Sequence, residues 1–405
     1  MARALFIIAF LAVTVFGCSE EDNPYWWQGG LRDAGRVLPE TLDVFASRDT
    51  TVEVETSTGG SNTLLVGRYE GIEAASFLKF TSLPDSADGI TSARLSLLVR
   101  GGYGDAVRVQ ILEVTSGTDW TEEDIRYGNR PGVGEILDTS IPLQWAEAET
   151  ILHSEVLEVP RRILQGWIEG DGNGGVMLSV PEGENGMLQI LSSEATFRDT
   201  SGTQVVNPLL AVFQDDAVLS THGPSQDAYV QNRFDGTAWG VDPTWLGVGG
   251  GRTRRTLIGF DLSALGDSLG SEPTFSIAGA SLHVTPLDEA PDGLPYADSV
   301  RVSLFALGPV PAWGEDGEVS DSLSLSLSVS GQDDLTAGNE ASFRFTALVK
   351  EWVNGTRENA GVVLISSGET LGLEGIRFAA RGTEGQPFLR LVVTRPAPVR
   401  LGVDR

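Results

Sequence analysis

Among the side chains able to do chemistry, the three histidines are the quickest to place. His153, His222 and His283 lie far apart, and none forms a metal-binding pair of the His-x-x-x-His kind. His283 falls in an alternating apolar and polar stretch, which makes it a packing or surface residue rather than a ligand. Asp and Glu total 56, so acids stand close together throughout. Proximity in sequence therefore singles out no general acid and base, which need separated pKa values at a set distance. The turn Asp171-Gly172-Asn173-Gly174-Gly175 offers oxygen donors of the sort Ca²⁺ takes, but it lacks the ligand spacing and final Glu of an EF-hand loop. A plain turn is the favoured reading. No motif demands a cofactor, and the excess of carboxylates leaves Ca²⁺ as the one cofactor with donors to spare. Nine tryptophans supply another chemistry, flat faces on which sugar rings stack. Which of them are free to do so depends on the elements that carry them.

Those elements come in two copies. Ile90-Thr91-Ser92-Ala93-Arg94-Leu95-Ser96-Leu97 alternates as a half-buried strand does, and Ile277-Ala278-Gly279-Ala280-Ser281-Leu282-His283-Val284 has the same layout. Arg108 leads to Trp120-Thr121-Glu122 and Arg301 to Trp313-Gly314-Glu315, a spacing of 12 in both (120 minus 108, 313 minus 301). Ile163-Leu164-Gln165-Gly166-Trp167-Ile168 matches Leu348-Val349-Lys350-Glu351-Trp352-Val353. Each predicts a short amphipathic helix closed by glycine, Gly170 or Gly355, with Asn173 or Asn359 before the next strand. The copies open with Asp43-Val44-Phe45 and Asp227-Ala228-Tyr229-Val230, and close with Pro208-Leu209-Leu210-Ala211 and Pro387-Phe388-Leu389-Arg390. Short alternating strands and turns such as Gly101-Gly102 predict an all-β chain of two tandem antiparallel β-sandwich domains, jelly-roll-like, each with one short helix. The domains are 41–214 and 225–396, joined by a polar linker 215–224 and followed by a tail 397–405.

The copies sort the tryptophans. Trp120 with Trp313, and Trp167 with Trp352, stand at matched places and read as core. Trp26, Trp27, Trp145, Trp239 and Trp245 are unmatched and freer to meet a ligand. Trp239 and Trp245 flank Asp242, with Tyr229 upstream, and these four are the candidate ligand-binding residues.

Taken in order, these blocks resemble the bacterial DNRLRE-type domain, related to polysaccharide-binding modules attached to some alginate lyases. The resemblance covers both units and is carried by five blocks. They are Asp227-Ala228-Tyr229-Val230, then Leu257-Ile258-Gly259-Phe260 with Phe77-Leu78-Lys79-Phe80 as its first-unit version, the Ile-x-x-Ala-x-Leu strand, the Trp120-Thr121-Glu122 segment, and the Phe345-Thr346-Ala347-Leu348 approach to the helix. After Trp313 the second unit departs from the Tyr-x-Asn-x-Pro continuation that follows Trp120. The resemblance implies a sandwich fold, an extracellular place, glycan binding or a structural role, and no catalysis by the module itself.

The N-terminus gives an address. Arg3 precedes an apolar run, Ala4 to Phe16, that is too short to span a bilayer and has the layout of a secretory signal, residues 1–17. Val15-Phe16-Gly17-Cys18 resembles the bacterial lipobox, in which Cys18 is lipidated, and 18–40 reads as a tether. Ser19 fits outer-membrane sorting by resemblance to Gram-negative lipoproteins. A formal charge of −28 excludes a nucleic-acid partner held through phosphates and disfavours an acidic polymer unless Ca²⁺ bridges it. The expected partners are an extracellular polysaccharide, neutral or Ca²⁺-bridged, or envelope proteins, with the membrane reached through the lipid anchor. The reading is a non-catalytic surface binding protein; the alternative is a structural or assembly lipoprotein of the cell envelope.

Overall fold

The computed structural model describes residues 39–394 apart from 55, 144–152, 171, 199–203, 206, 234–244, 250–252, 264, 266–274, 289–299, 309–324, 337 and 374. The chain is all-β, built on two curled antiparallel sheets with two short helices among the described residues. Period-2 patterning sets the layers. From Ser92 to Val99 and in Phe388–Thr394 every second side chain is buried, and Val362–Ser366 and Gly375–Ala379 are buried throughout, covered on both faces. Two separate cores result, one around Leu64, Leu95, Ile111, Leu178 and Ile190, the other around Ile258, Leu282, Leu304, Phe378 and Leu391. These define lobe one and lobe two.

The matched helices behave as their spacing predicts. Arg161–Glu169 buries Ile163, Leu164 and Trp167, and Thr346–Val353 buries Leu348, Val349 and Trp352, the same three places. Gly170 ends the first in the left-handed region that favours glycine, its N–H donating to Gly166 O at 3.1 Å. In the second, Asn354 is the cap and Gly355 follows it at φ 68. Asn173 and Asn359 are structural. Their Nδ2 groups donate to Phe80 O and Phe260 O respectively, tying the post-helix turn to the neighbouring strand in both lobes. Asn173 Oδ1 also accepts from Gly175 N–H at 3.1 Å, the hydrogen bonding of a plain turn; Asp171 lies outside the described residues.

The opening strands do not lie where chain order places them. Glu40–Val54 pairs with Phe388–Thr394 through residues 40–45, shifts register between Ala46 and Arg48, then pairs with Thr253–Phe260 through 48–54. One strand thus passes between two layers of lobe two. In lobe one the same two places are filled by Ala217–His222, paired with Leu209–Gln214, and Gln226–Arg233, paired with Ile72–Lys79. The polar stretch expected as a linker is therefore partly strand, because its backbone groups complete the open edge of Leu209–Gln214. Each unit's opening strand completes the other unit's sandwich: lobe one is the continuous run 63–233, and lobe two is 253–394 closed by 40–54. Since Phe80 and Phe260 are equivalent acceptors, Leu78 corresponds to Ile258, and their partners across the ladder are Asp227 and Asp49. The counterpart of Asp227 is thus Asp49 rather than Asp43.

The lobes touch through the turn that follows Val362–Ser366. Thr370 O accepts from Tyr229 Oη at 2.7 Å and from Ser61 Oγ at 2.8 Å, and Leu373 is buried in the core of lobe one. No helix among the described residues is long and apolar enough to cross a membrane.

Candidate functional site

One layer of lobe two consists of residues 40–45 of the opening strand, Phe388–Thr394, Ser276–Val284 and Ala341–Arg344. Leu389, Leu391, Leu282 and Phe343 turn inward to the core, and the alternation sends Asp43, Phe45, Phe388, Arg390 and His283 to the outer side. Phe45 is 55% exposed, a large apolar ring held open on a sheet face. Phe388, directly opposite it in register, lies at 6.1 Å between centroids with the rings tilted by 59°. His283 stacks on Phe388 at 4.7 Å and 9°.

Polar groups border these rings. Arg390 lies 4.9 Å over the Phe388 ring and grips Asp43 with both arms of its fork, Nε to Oδ1 and Nη2 to Oδ2, each at 2.8 Å. These hydrogen bonds hold the Asp43 carboxyl below its ordinary range and the guanidinium above its own. His283 Nδ1 lies 2.7 Å from Glu340 Oε1, and its Nε2 lies 2.9 Å from Ser281 Oγ. An Nδ1–H imidazole satisfies both, donating to the carboxylate and accepting the hydroxyl hydrogen. The face thus joins exposed aromatic surface to carboxylates and a guanidinium fixed in advance. Those groups suit a sugar, whose C–H faces pack on rings and whose hydroxyls both donate and accept.

The same layer of lobe one lacks this set and carries instead Arg94, 5.0 Å over the Phe213 ring and 3.8 Å from Glu158. Leu209 stands where Phe388 does, Ala211 for Arg390 and Ser96 for His283, by register against the neighbouring strand.

The residues singled out from the sequence fall elsewhere. Tyr229, expected to offer its ring to a ligand, is closed inside lobe one, its hydroxyl spent on Thr370 O and its phenol pushed up by burial. Its strand closes a sandwich instead of opening one, so the ring packs on the core. Trp245 heads the strand Trp245–Gly249, opposite Ala379. Trp239, Asp242 and Cys18 lie outside the described residues, as do Trp26, Trp27, Trp145 and Trp313. The matched tryptophans that are described are buried: Trp167 and Trp352 at 7% exposure each, and Trp120 with its indole N–H donating to Gly174 O at 2.9 Å. His222 is engaged by Ser220 Oγ at 2.7 Å. One Gly-x-Ser-x-Gly pattern, Gly266-Asp267-Ser268-Leu269-Gly270, lies outside the described residues, and no nucleophile is assigned to it.

Residues 40–197 match the family described as Carbohydrate-binding module family 96. That segment is similar to a carbohydrate-binding module, a non-catalytic class of domain. It starts at the opening strand, which in space contributes Asp43 and Phe45 to lobe two. No curated protein matches the chain. Among solved structures, one of infectious bursal disease virus, Gx strain, is 12% identical over 90% of this chain and 78% of that one, with a TM-score of 0.14, too low to carry any argument.

Proposed function

We propose that this chain is a lipid-anchored, extracytoplasmic glycan-binding protein that performs no reaction on its ligand, and that the glycan lies on the Phe45–Phe388 face of lobe two. The observation that carries the reading is Phe45, a ring 55% exposed on a sheet face beside the Phe388–Arg390–Asp43 set. Exposed aromatic area with pre-set polar neighbours is a binding surface rather than a packing one. The match of residues 40–197 to a carbohydrate-binding module supports the ligand class. The chain's charge of −28 favours a neutral glycan, or an acidic one bridged by Ca²⁺. Trp239, Trp245 and Asp242 supply a second candidate contact in the same unit.

The test is a glycan array probed with and without Ca²⁺, followed by titration of the best ligand against Phe45→Ala and Arg390→Ala. Each should weaken binding about tenfold or more, as truncation of a central contact does, with the melting temperature nearly unchanged. Unchanged affinity in both, with loss in Trp239→Ala, moves the site to the Trp239 region. Silence across the array favours the structural lipoprotein. The anchor is tested separately: Cys18→Ala should abolish membrane fractionation or block processing, and a normally processed Cys18→Ala protein that still sediments with membranes refutes lipidation.

A further inference from the structure

Three carboxylates that chain order separates meet in lobe one. Glu122 belongs to the segment after Trp120, Glu194 follows the strand Gly186–Leu191, and Asp227 lies on the exchanged strand Gln226–Arg233. Their oxygens all lie within 4.8 Å of one another. Two oxygens bound to one Ca²⁺ at about 2.4 Å each are at most about 4.8 Å apart, so each pair here is close enough to share an ion. The donors are hard oxygens only, which suits Ca²⁺ and not a softer transition metal.

Asp227 is 0% exposed. Its Oδ2 accepts the Ser193 N–H at 2.7 Å, but its Oδ1 is buried with no hydrogen-bond donor. A buried carboxylate oxygen left unanswered is costly. Among the described residues no Lys, Arg or His pairs with any of the three acids.

Lobe two shows what answers the equivalent group there. Its counterpart Asp49 accepts the Arg381 N–H through Oδ2 at 2.6 Å, so Arg381 occupies the place of Ser193 and Gly382 that of Glu194. Burial raises the Asp49 carboxyl as well, and the Arg381 N–H and then its charge act against that rise, while the guanidinium itself donates to Ser47 O at 2.8 Å. Lobe two has an arginine beside this spot, whereas lobe one has a serine and one more acid. Glu122 is held in position beforehand. Ser57 Oγ donates to Glu122 O at 2.8 Å, and a side chain on Gly59 would meet Glu122 Cβ at 2.6 Å.

We propose that Glu122, Glu194 and Asp227 bind one Ca²⁺ ion, which fastens the exchanged strand Gln226–Arg233 to the body of lobe one. The competing occupant is a proton shared between Asp227 and Glu194. Burial first, then the neighbouring Glu194 charge, raise the Asp227 carboxyl to about 8, and burial with Glu194 raises Glu122. Without the ion, the raised Asp227 value means that stability is full below the ordinary carboxylate range and is lost as pH rises toward about 8.

The experiment is calorimetric titration of the full chain with CaCl₂ at pH 8, with thermal melts in Ca²⁺ and in chelator at pH 8 and pH 6. The expected result is one Ca²⁺ per chain and a melting temperature raised by the ion. Glu194→Gln, an exposed change, should lose the Ca²⁺ response and keep the chelator melt. Asp227→Asn, which keeps the acceptor for Ser193, should melt no lower than wild type in chelator at pH 8 and be indifferent to Ca²⁺. A wild type indifferent to millimolar Ca²⁺ but stabilised by acid would assign the cluster to a shared proton and overturn the proposal. A Ca²⁺ response that survives both substitutions would overturn it too.

Discussion

Leu209 and Phe388 occupy the same place in the two lobes, each following a proline and each on the outer side of its sandwich, yet Phe388 adjoins Arg390, His283 and the exposed ring of Phe45, whereas Leu209 has Ser96 opposite it and Arg94 beside that, over Phe213. Asp227 and Asp49 are likewise equivalent, each capping a turn N–H, but among the described residues only Asp227 has two more acids gathered around it. The backbone and the core are duplicated; the polar decoration is not. Packing constrains core positions to similar volumes in both copies, whereas an outward position is free to diverge. Lobe two accordingly carries the aromatic face and lobe one the acidic cluster, and the exchanged strands contribute Asp43 and Phe45 to the first and Asp227 to the second.

The comparison breaks most severely if the exchange is removed. A chain lacking 40–54 should lose the cooperative unfolding transition of lobe two while 63–233 stays protected in hydrogen exchange, because that strand joins two layers of lobe two and has no ladder in lobe one. Loss of protection in 63–214 instead would return the strand to its own unit. Next in size, Trp167→Ala and Trp352→Ala should each cost about 3–5 kcal/mol, read by denaturant unfolding. In each variant the weakened transition should be the one belonging to the lobe that holds the substitution. Equal weakening of both transitions by either change would mean that the lobes unfold as one unit.

A third test sharpens the difference in surface. Arg390→Ala should lower glycan affinity about tenfold, while Arg94→Ala, on the corresponding layer of lobe one, should leave it unchanged. The smallest effect concerns the Asp43–Arg390 fork. Asp43 is held below its ordinary range, so its contribution is present above the unfolded carboxylate pKa and fades as pH falls through the folded one. The pair is partly exposed, so Asp43→Asn should cost at most about 1 kcal/mol, and its melting curve should converge with that of wild type in acid.

Much of this molecule is written in local pattern. The period-2 strands, the glycine-ended helices with Trp167 and Trp352 on their buried faces, and the two-copy arrangement all follow from side-chain spacing, because each depends on which face of one element meets a core. The acidic and aromatic sites were not legible in this way. Phe45 and Phe388 lie more than three hundred residues apart, and Asp227 lies more than a hundred from Glu122; in sequence Phe45 reads only as one apolar residue of a strand. Tyr229 shows the same limit from the other side, since its strand pattern is visible but its position inside the sandwich is not.

The sequence by itself determined the class of fold and the faces that its two helices bury, since apolar periodicity is a property of each segment alone. Only the tertiary structure decided which strand each edge would accept. A backbone edge in lobe one accepts 226–233 and edges in lobe two accept 40–54, each through an antiparallel ladder that any strand could extend. The choice between them rests on chain connection and on the side chains that meet once the strand is in place.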